Sequence, residues 1–117
     1  MKTDSQFRKR TREFALRVIK LMQALPDTKV ADVIGRGLAR SGMSAGATYV
    51  AAGHSRSTRE LVANLSVAAE QLDEAVYWLE LLSESEIMID QRVTDLHAEA
   101  TELLASVLAS IQAARKR

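Results

Sequence analysis

The stretch GRGLARSGMSAGATYVAAG, residues 35–53, decides the fold of this chain, because it holds all five glycines among 117 residues. A glycine inside a helix costs about 1 kcal/mol relative to alanine, so a helix here needs a structural reason. A loop would hold polar residues without periodicity, yet bulky residues such as Met43 and Tyr49 recur through the stretch. The pattern therefore predicts a helix with one thin face, where Gly42 and Gly46 lie a turn apart and admit a close neighbour.

Helix signals continue on both sides of this stretch, and no useful strand alternation occurs. Pro26 ends the preceding helix, because proline disfavours the helical conformation in the residue before it. The candidate N-caps are Asp27 or Thr28, Ser57 in a capping-box pattern with Glu60, and Asp90. We predict one all-α domain over residues 1–117, with helices at about 5–24, 29–52, 57–83 and 90–115. With short links, these helices form an antiparallel up-down-up-down four-helix bundle.

Apolar residues follow the spacing of one helix face on the first, third and fourth helices. The expected core positions are Phe7, Thr11, Phe14, Val18, Leu21 and Leu25; Leu61, Leu65, Ala68, Leu72, Ala75, Leu79 and Leu82; and Val93, Leu96, Ala100, Leu103, Val107 and Ser110. Additional apolar residues lie beside these seams, namely Val67, Trp78, Leu81, Leu104, Leu108 and Ile111. This surface exceeds what one bundle buries, so we expect a homo-oligomer. The oligomer or close-packing contacts would use these six residues together with Gly42 and Gly46.

Charge is segregated along the chain although the net charge is only +1. Residues 1–59 hold 12 Lys/Arg and 4 Asp/Glu, whereas residues 60–117 hold 4 Lys/Arg and 11 Asp/Glu. Such asymmetry indicates either a polyanionic partner or pairing of the basic half with an acidic half. The candidate nucleic-acid-binding residues are Arg8, Lys9, Arg10, Arg12, Arg17, Lys20, Arg36, Arg40, Arg56 and Arg59. No aromatic residues interleave with them, which argues against base stacking.

The sequence offers no catalytic or metal-binding constellation. Cysteine is absent, which excludes disulfides and thiolate metal sites. His54 falls in a predicted turn, and His97 cannot converge with Asp95 and Glu99 because positions two apart point to different sides of a helix. Neither a nucleophile elbow nor a phosphate-binding glycine loop occurs. We therefore expect no enzyme activity, no metal and no cofactor.

The start of the chain, MKTDSQFRKR, lacks the apolar segment of a signal peptide, and no run of about 18 apolar residues occurs. The sequence thus predicts a cytoplasmic protein without a membrane partner.

Several segments together resemble the bacterial four-helix bundle proteins, also called S23 or 23S rRNA-intervening sequence proteins. The segments are residues 14–21 (FALRVIKL), 40–49 (RSGMSAGATY), 57–60 (STRE), 77–82 (YWLELL) and 102–104 (ELL), so the resemblance covers nearly the whole chain. It implies an antiparallel four-helix bundle that assembles into a ring, commonly a homopentamer, without enzymatic activity. A related group, the accessory proteins of diversity-generating retroelements, forms basic pentameric barrels that bind nucleic acid.

This chain departs from the family pattern in its second helix. Gly37 replaces a usual Gln, Thr48 a usual Asn, and Ala51 a usual acidic residue. The polar side chains of that helix are therefore mostly lost. Two hypotheses follow. The first is a self-assembling scaffold or protein-interaction module. The second is an accessory protein whose basic first and second helices bind RNA or DNA, and whose partner could instead be a protein that processes nucleic acid.

Overall fold

The computed structural model describes residues 5–116, so residues 1–4 and Arg117, the ends of the predicted 1–117 domain, lie outside the description. Four helices fill the described chain: α1 (Ser5–Ala24), α2 (Lys29–Ala52), α3 (Thr58–Glu84) and α4 (Gln91–Arg115). The fold is all-α, as predicted. None of the helices in residues 5–116 has the combination of length and hydropathy that a membrane span requires.

Each helix lies beside its neighbours in the chain, and α1 also lies beside α4, whereas the diagonal pairs α1/α3 and α2/α4 have no Cα atoms within 8 Å of each other in the described residues. The body measures 47 × 22 × 20 Å. Helices of 20 to 27 residues, each about 30–40 Å long, fit this body only if they run side by side and the short links reverse the chain. The four helices thus surround one core.

Side chains at the helix ends explain where the helices begin. The Thr28 hydroxyl accepts a hydrogen bond from the Ala31 amide at 3.2 Å, so Thr28 rather than Asp27 caps α2. Ser57 caps α3 through the Glu60 amide at 3.1 Å. The Glu60 carboxylate accepts from the backbone N–H of residue 56 at 3.3 Å, one residue before the Ser57 amide that a capping box uses.

Asp90 begins α4, as expected, because its carboxylate accepts the Arg92 amide at 2.8 Å. The Arg92 guanidinium also donates to Asp90 at 3.0 Å, and these hydrogen bonds lower the pKa of Asp90 to about 2. The link before it turns at Glu86, whose φ of 62° is unusual for a residue with a side chain.

The glycine stretch is a helix, and its thin face packs inside the same protomer. A Cβ atom at Gly42 would meet Val18 at 3.2 Å and Phe14 at 3.3 Å, and one at Gly46 would meet Thr11 at 3.2 Å. These contacts run in opposite order along the two helices, so α1 and α2 are antiparallel. The close neighbour that the glycines admit is therefore α1.

Gly37 supplies a second close approach, to α3. A Cβ atom there would lie 2.4 Å from Cε2 of Trp78, so the indole occupies the space that any side chain at position 37 would need. Gly37, the residue that replaces a usual Gln, thus forms a notch for Trp78.

The core prediction was wrong at one position of α4. Ser110 is exposed, whereas Ile111 is 5% exposed and lies in the core. Helical spacing permits the next core residue after Val107 to lie three residues on, at Ser110, or four residues on, at Ile111, and in the structure it is Ile111. Ile111 is consequently unavailable as a contact for a second copy.

Candidate interaction surfaces

An open groove of about 640 Å³ separates the outer edges of α1 and α2. We call it the basic groove, and its lining residues are Ser5, Arg8, Lys9, Thr11, Arg12, Ala15, Met43, Gly46, Ala47 and Val50. Helix α2 contributes two small residues, Gly46 and Ala47, together with Met43 and Val50. Cations from α1 and apolar side chains from α2 therefore share one concave surface.

Three of the ten predicted cations, Arg8, Lys9 and Arg12, line this groove. All three are exposed and form no ion pair with any residue in the described range 5–116. Arg36 pairs with Asp32 of its own helix at 3.0 Å. The remaining exposed candidates lie outside the groove: Arg17, Lys20, Arg40, Arg56 and Arg59.

Arg10 differs from the other nine because it joins two helices of the same protomer. Its Nη2 and Nε atoms donate to the Glu99 carboxylate of α4 at 2.7 and 3.2 Å, and Glu102 lies 3.7 Å away. The hydrogen bond to Glu99 raises the pKa of Arg10. This guanidinium links α1 to α4, so its charge is already paired within the protomer.

A second exposed surface, on α3, carries the opposite charge. Val67, Glu70, Glu74 and Tyr77 recur at steps of three and four residues and share one solvent-facing side of the helix; we call them the acidic stripe. Val67 is 44% and Tyr77 55% exposed, and neither glutamate forms an ion pair within residues 5–116. Of these four residues, only Val67 was predicted to contact a second copy. The spacing of Glu70 and Glu74, four residues apart, was the sequence signal for a shared helix face.

The other residues predicted to contact a second copy divide into two groups. Trp78, Leu81 and Leu104 are half-buried and pack against the core of their own protomer. Trp78 does so because α3 has two helical neighbours, α2 and α4. Leu108, at 48%, stays exposed alongside Val67.

A smaller cleft of about 340 Å³ lies between α3 and α4, where Nε2 of His97 and Oε2 of Glu80 are 2.9 Å apart. The sequence pattern relates His97 only to Asp95 and Glu99 of the same helix, so it does not predict the contact with Glu80 on α3. Across residues 5–116, no three His, Asp or Glu side chains are grouped as a metal site. His54 is exposed in the α2–α3 link.

Comparisons with known proteins agree with this architecture. A sequence model of the family described as 23S rRNA-intervening sequence protein matches residues 3–109. Among solved structures, a protein of unknown function from the S23 ribosomal protein family of Bacteroides thetaiotaomicron VPI-5482 is similar, with 27% identity and a TM-score of 0.82. That similarity covers 90% of this chain and 97% of the other. No curated protein matches.

Proposed function

Because this chain belongs to the 23S rRNA-intervening sequence protein family, whose similar solved member has no assigned function, we propose its role from its surfaces. We propose a non-enzymatic helical bundle that assembles with copies of itself into a ring and serves as a scaffold or protein-interaction module. The resemblance described above suggests five copies.

Unneutralised charge on opposite corners of the bundle carries this proposal. Helix α1 has six Lys/Arg against one Asp/Glu, and α3 has one Lys/Arg against six Asp/Glu. The two helices are diagonal, and in the described residues no Cα atom of one lies within 8 Å of a Cα atom of the other. Within residues 5–116, Arg10 is the one α1 cation in an ion pair, and no α3 carboxylate is paired with a lysine or arginine. Association of copies would neutralise both surfaces.

Light scattering across a micromolar concentration series tests this proposal. We expect a mass that is a multiple of 12.9 kDa, and a constant 12.9 kDa would refute self-assembly.

The cytoplasmic location expected from the sequence also stays a prediction, which cell fractionation tests.

Nucleic-acid binding is the second candidate function, and it is favoured by Arg8, Lys9 and Arg12 of the basic groove, which have no ion-pair partner among residues 5–116. Phosphate contacts release counterions, so affinity for RNA or single-stranded DNA would fall steeply with salt. A gel-shift series over salt concentration, with Arg8, Arg12 and Arg17 changed together to Glu as the comparison, separates the two functions. Binding that is lost in the variant would support this role, and unchanged mobility of the nucleic acid at low salt would remove it.

A further inference from the structure

We propose that the basic groove of one protomer receives the acidic stripe of α3 from a second copy. This inference rests on the proposed self-assembly and identifies the two surfaces that meet. The same contact, repeated from copy to copy, is head-to-tail, and such contacts close into a ring when the rotation between copies permits.

The two surfaces match in length and in the spacing of their charges. On the groove side, residues 5 to 15 of α1 span about 15 Å, and residues 67 to 77 of the stripe span the same length. Arg8 and Arg12 are four residues apart, about 6 Å along the helix axis, and so are Glu70 and Glu74. A helix laid along the groove can therefore place each glutamate beside an arginine.

The apolar parts of the two surfaces distinguish a protein helix from a nucleic acid as the occupant. Met43 is 44% exposed, and with Ala15, Ala47 and Val50 it gives the groove an apolar floor beneath its cations. A phosphate backbone would leave this floor uncovered, and the groove has no aromatic side chain for base stacking. The stripe supplies apolar side chains at both ends, through Val67 and Tyr77.

A protomer cannot fill its own groove with its own stripe. The groove lies between α1 and α2, whereas α3 packs against α2 and α4 and has no Cα atom within 8 Å of α1 in the described residues. The stripe is solvent-exposed in the single protomer, so a stripe that docks in the groove comes from another copy.

Paired charge reversals test this docking mode by light scattering on the full chain. The groove variant is Arg8→Glu/Arg12→Glu, and the stripe variant is Glu70→Arg/Glu74→Arg. The matched control, Arg17→Glu/Lys20→Glu, reverses two exposed α1 cations outside the groove. We expect the groove and stripe variants each to fall to 12.9 kDa and the control to keep the wild-type mass. The chain that carries all four groove and stripe reversals should regain the wild-type mass.

Thermal melting followed by circular dichroism verifies that each variant is folded, as expected for exposed side chains. An assembled wild type whose groove variant keeps the same mass would overturn the docking mode while leaving self-assembly intact. Loss of assembly in the control as well, or failure of the fourfold variant to reassemble, would also overturn it. A monomeric wild type would refute self-assembly itself. If the groove variant keeps its mass but no longer binds a short RNA, the occupant is a nucleic acid and the proposal is wrong.

Discussion

The α1/α2 half of the bundle and the α3/α4 half use different residues where their helices pack. Between α1 and α2, Gly42 and Gly46 receive Phe14, Val18 and Thr11 directly. Helices α3 and α4 have no glycine, and their buried residues are mainly leucines and alanines, including the fully buried Leu72, Leu79, Leu82, Leu96 and Leu103. Adding atoms should therefore damage the first half, and removing atoms should damage the second.

The same difference extends to the outer surfaces. The open, basic groove lies between α1 and α2, whereas the acidic stripe lies on the outer side of α3. One half presents a concave cationic surface and the other an exposed anionic one. Gly46 belongs to both features of the first half, because it lines the groove and contacts Thr11 of α1.

Gly42→Leu should give the largest effect of all, because four carbon atoms would enter a contact already at 3.2–3.3 Å from Val18 and Phe14. We expect a loss of about 3 kcal/mol or more, at the upper end of the cost of overpacking and a large share of the stability of a small domain. Gly46→Leu should act in the same direction against Thr11. The matched control, Ala51→Leu, adds bulk at an exposed α2 position and should melt like wild type. Wild-type melting of both glycine variants would show that the thin face is not needed.

Leu79→Ala tests the other half by removing atoms from a fully buried position. The cavity should cost about 3 kcal/mol, within the usual range of 2–5 kcal/mol. Urea unfolding measures this loss, and Leu108→Ala, at a side chain that is 48% exposed, is the control with a much smaller expected loss. Equal losses at the two positions would contradict the assignment of the α3/α4 seam.

Gly37→Ala adds one methyl group, yet its Cβ would lie 2.4 Å from the Trp78 indole. We expect a loss of about 2 kcal/mol from overpacking, which exceeds the helix-propensity gain of about 1 kcal/mol. In a Trp78→Leu background the clash is absent, so the same substitution should cost far less. A double-mutant cycle that returns no coupling between these two positions would contradict the notch.

Acid should produce the smallest effect, at the cap of α4. The folded-state pKa of Asp90 is lowered to about 2 by its hydrogen bonds with Arg92, so its carboxylate stabilises the fold above the unfolded pKa of about 4. That contribution is lost as the pH falls from about 4 towards 2. Melting of the wild type and Asp90→Asn at successive pH values should therefore show a difference that closes over this window. If the difference in melting temperature between the two proteins did not change with pH, the ionised Asp90 carboxylate would contribute nothing to stability.

The sequence predicted what depends on local chemistry. Helical periodicity indicated the four helices, and the caps at Thr28 and Asp90 were among the expected ones, because each depends on a few neighbouring residues. The prediction that α2 has a thin face was also confirmed, because glycines at helical spacing indicate a close helix contact.

Positions that depend on which helix lies opposite were not predictable from one sequence. Periodicity allowed Ser110 or Ile111 as the next core residue, and the packed neighbours selected Ile111. Arg10 and Arg12 look equivalent in sequence, yet only Arg10 faces Glu99 on α4, because each step along a helix turns the side chain by about 100°. The notch at Gly37 likewise required knowledge of Trp78 across the bundle.

Mixing the groove variant with the stripe variant tests most directly whether the two halves present complementary surfaces to other copies. The mixture offers an acidic groove to a basic stripe and a basic groove to an acidic stripe. Light scattering should return 12.9 kDa for each variant alone and a mass of two or more copies for the equimolar mixture, in which the two variants alternate. A ring of five cannot close by strict alternation, so the mass of the mixture need not equal that of the wild type. A mixture that stays at 12.9 kDa, while the wild type assembles under the same conditions, would contradict the account.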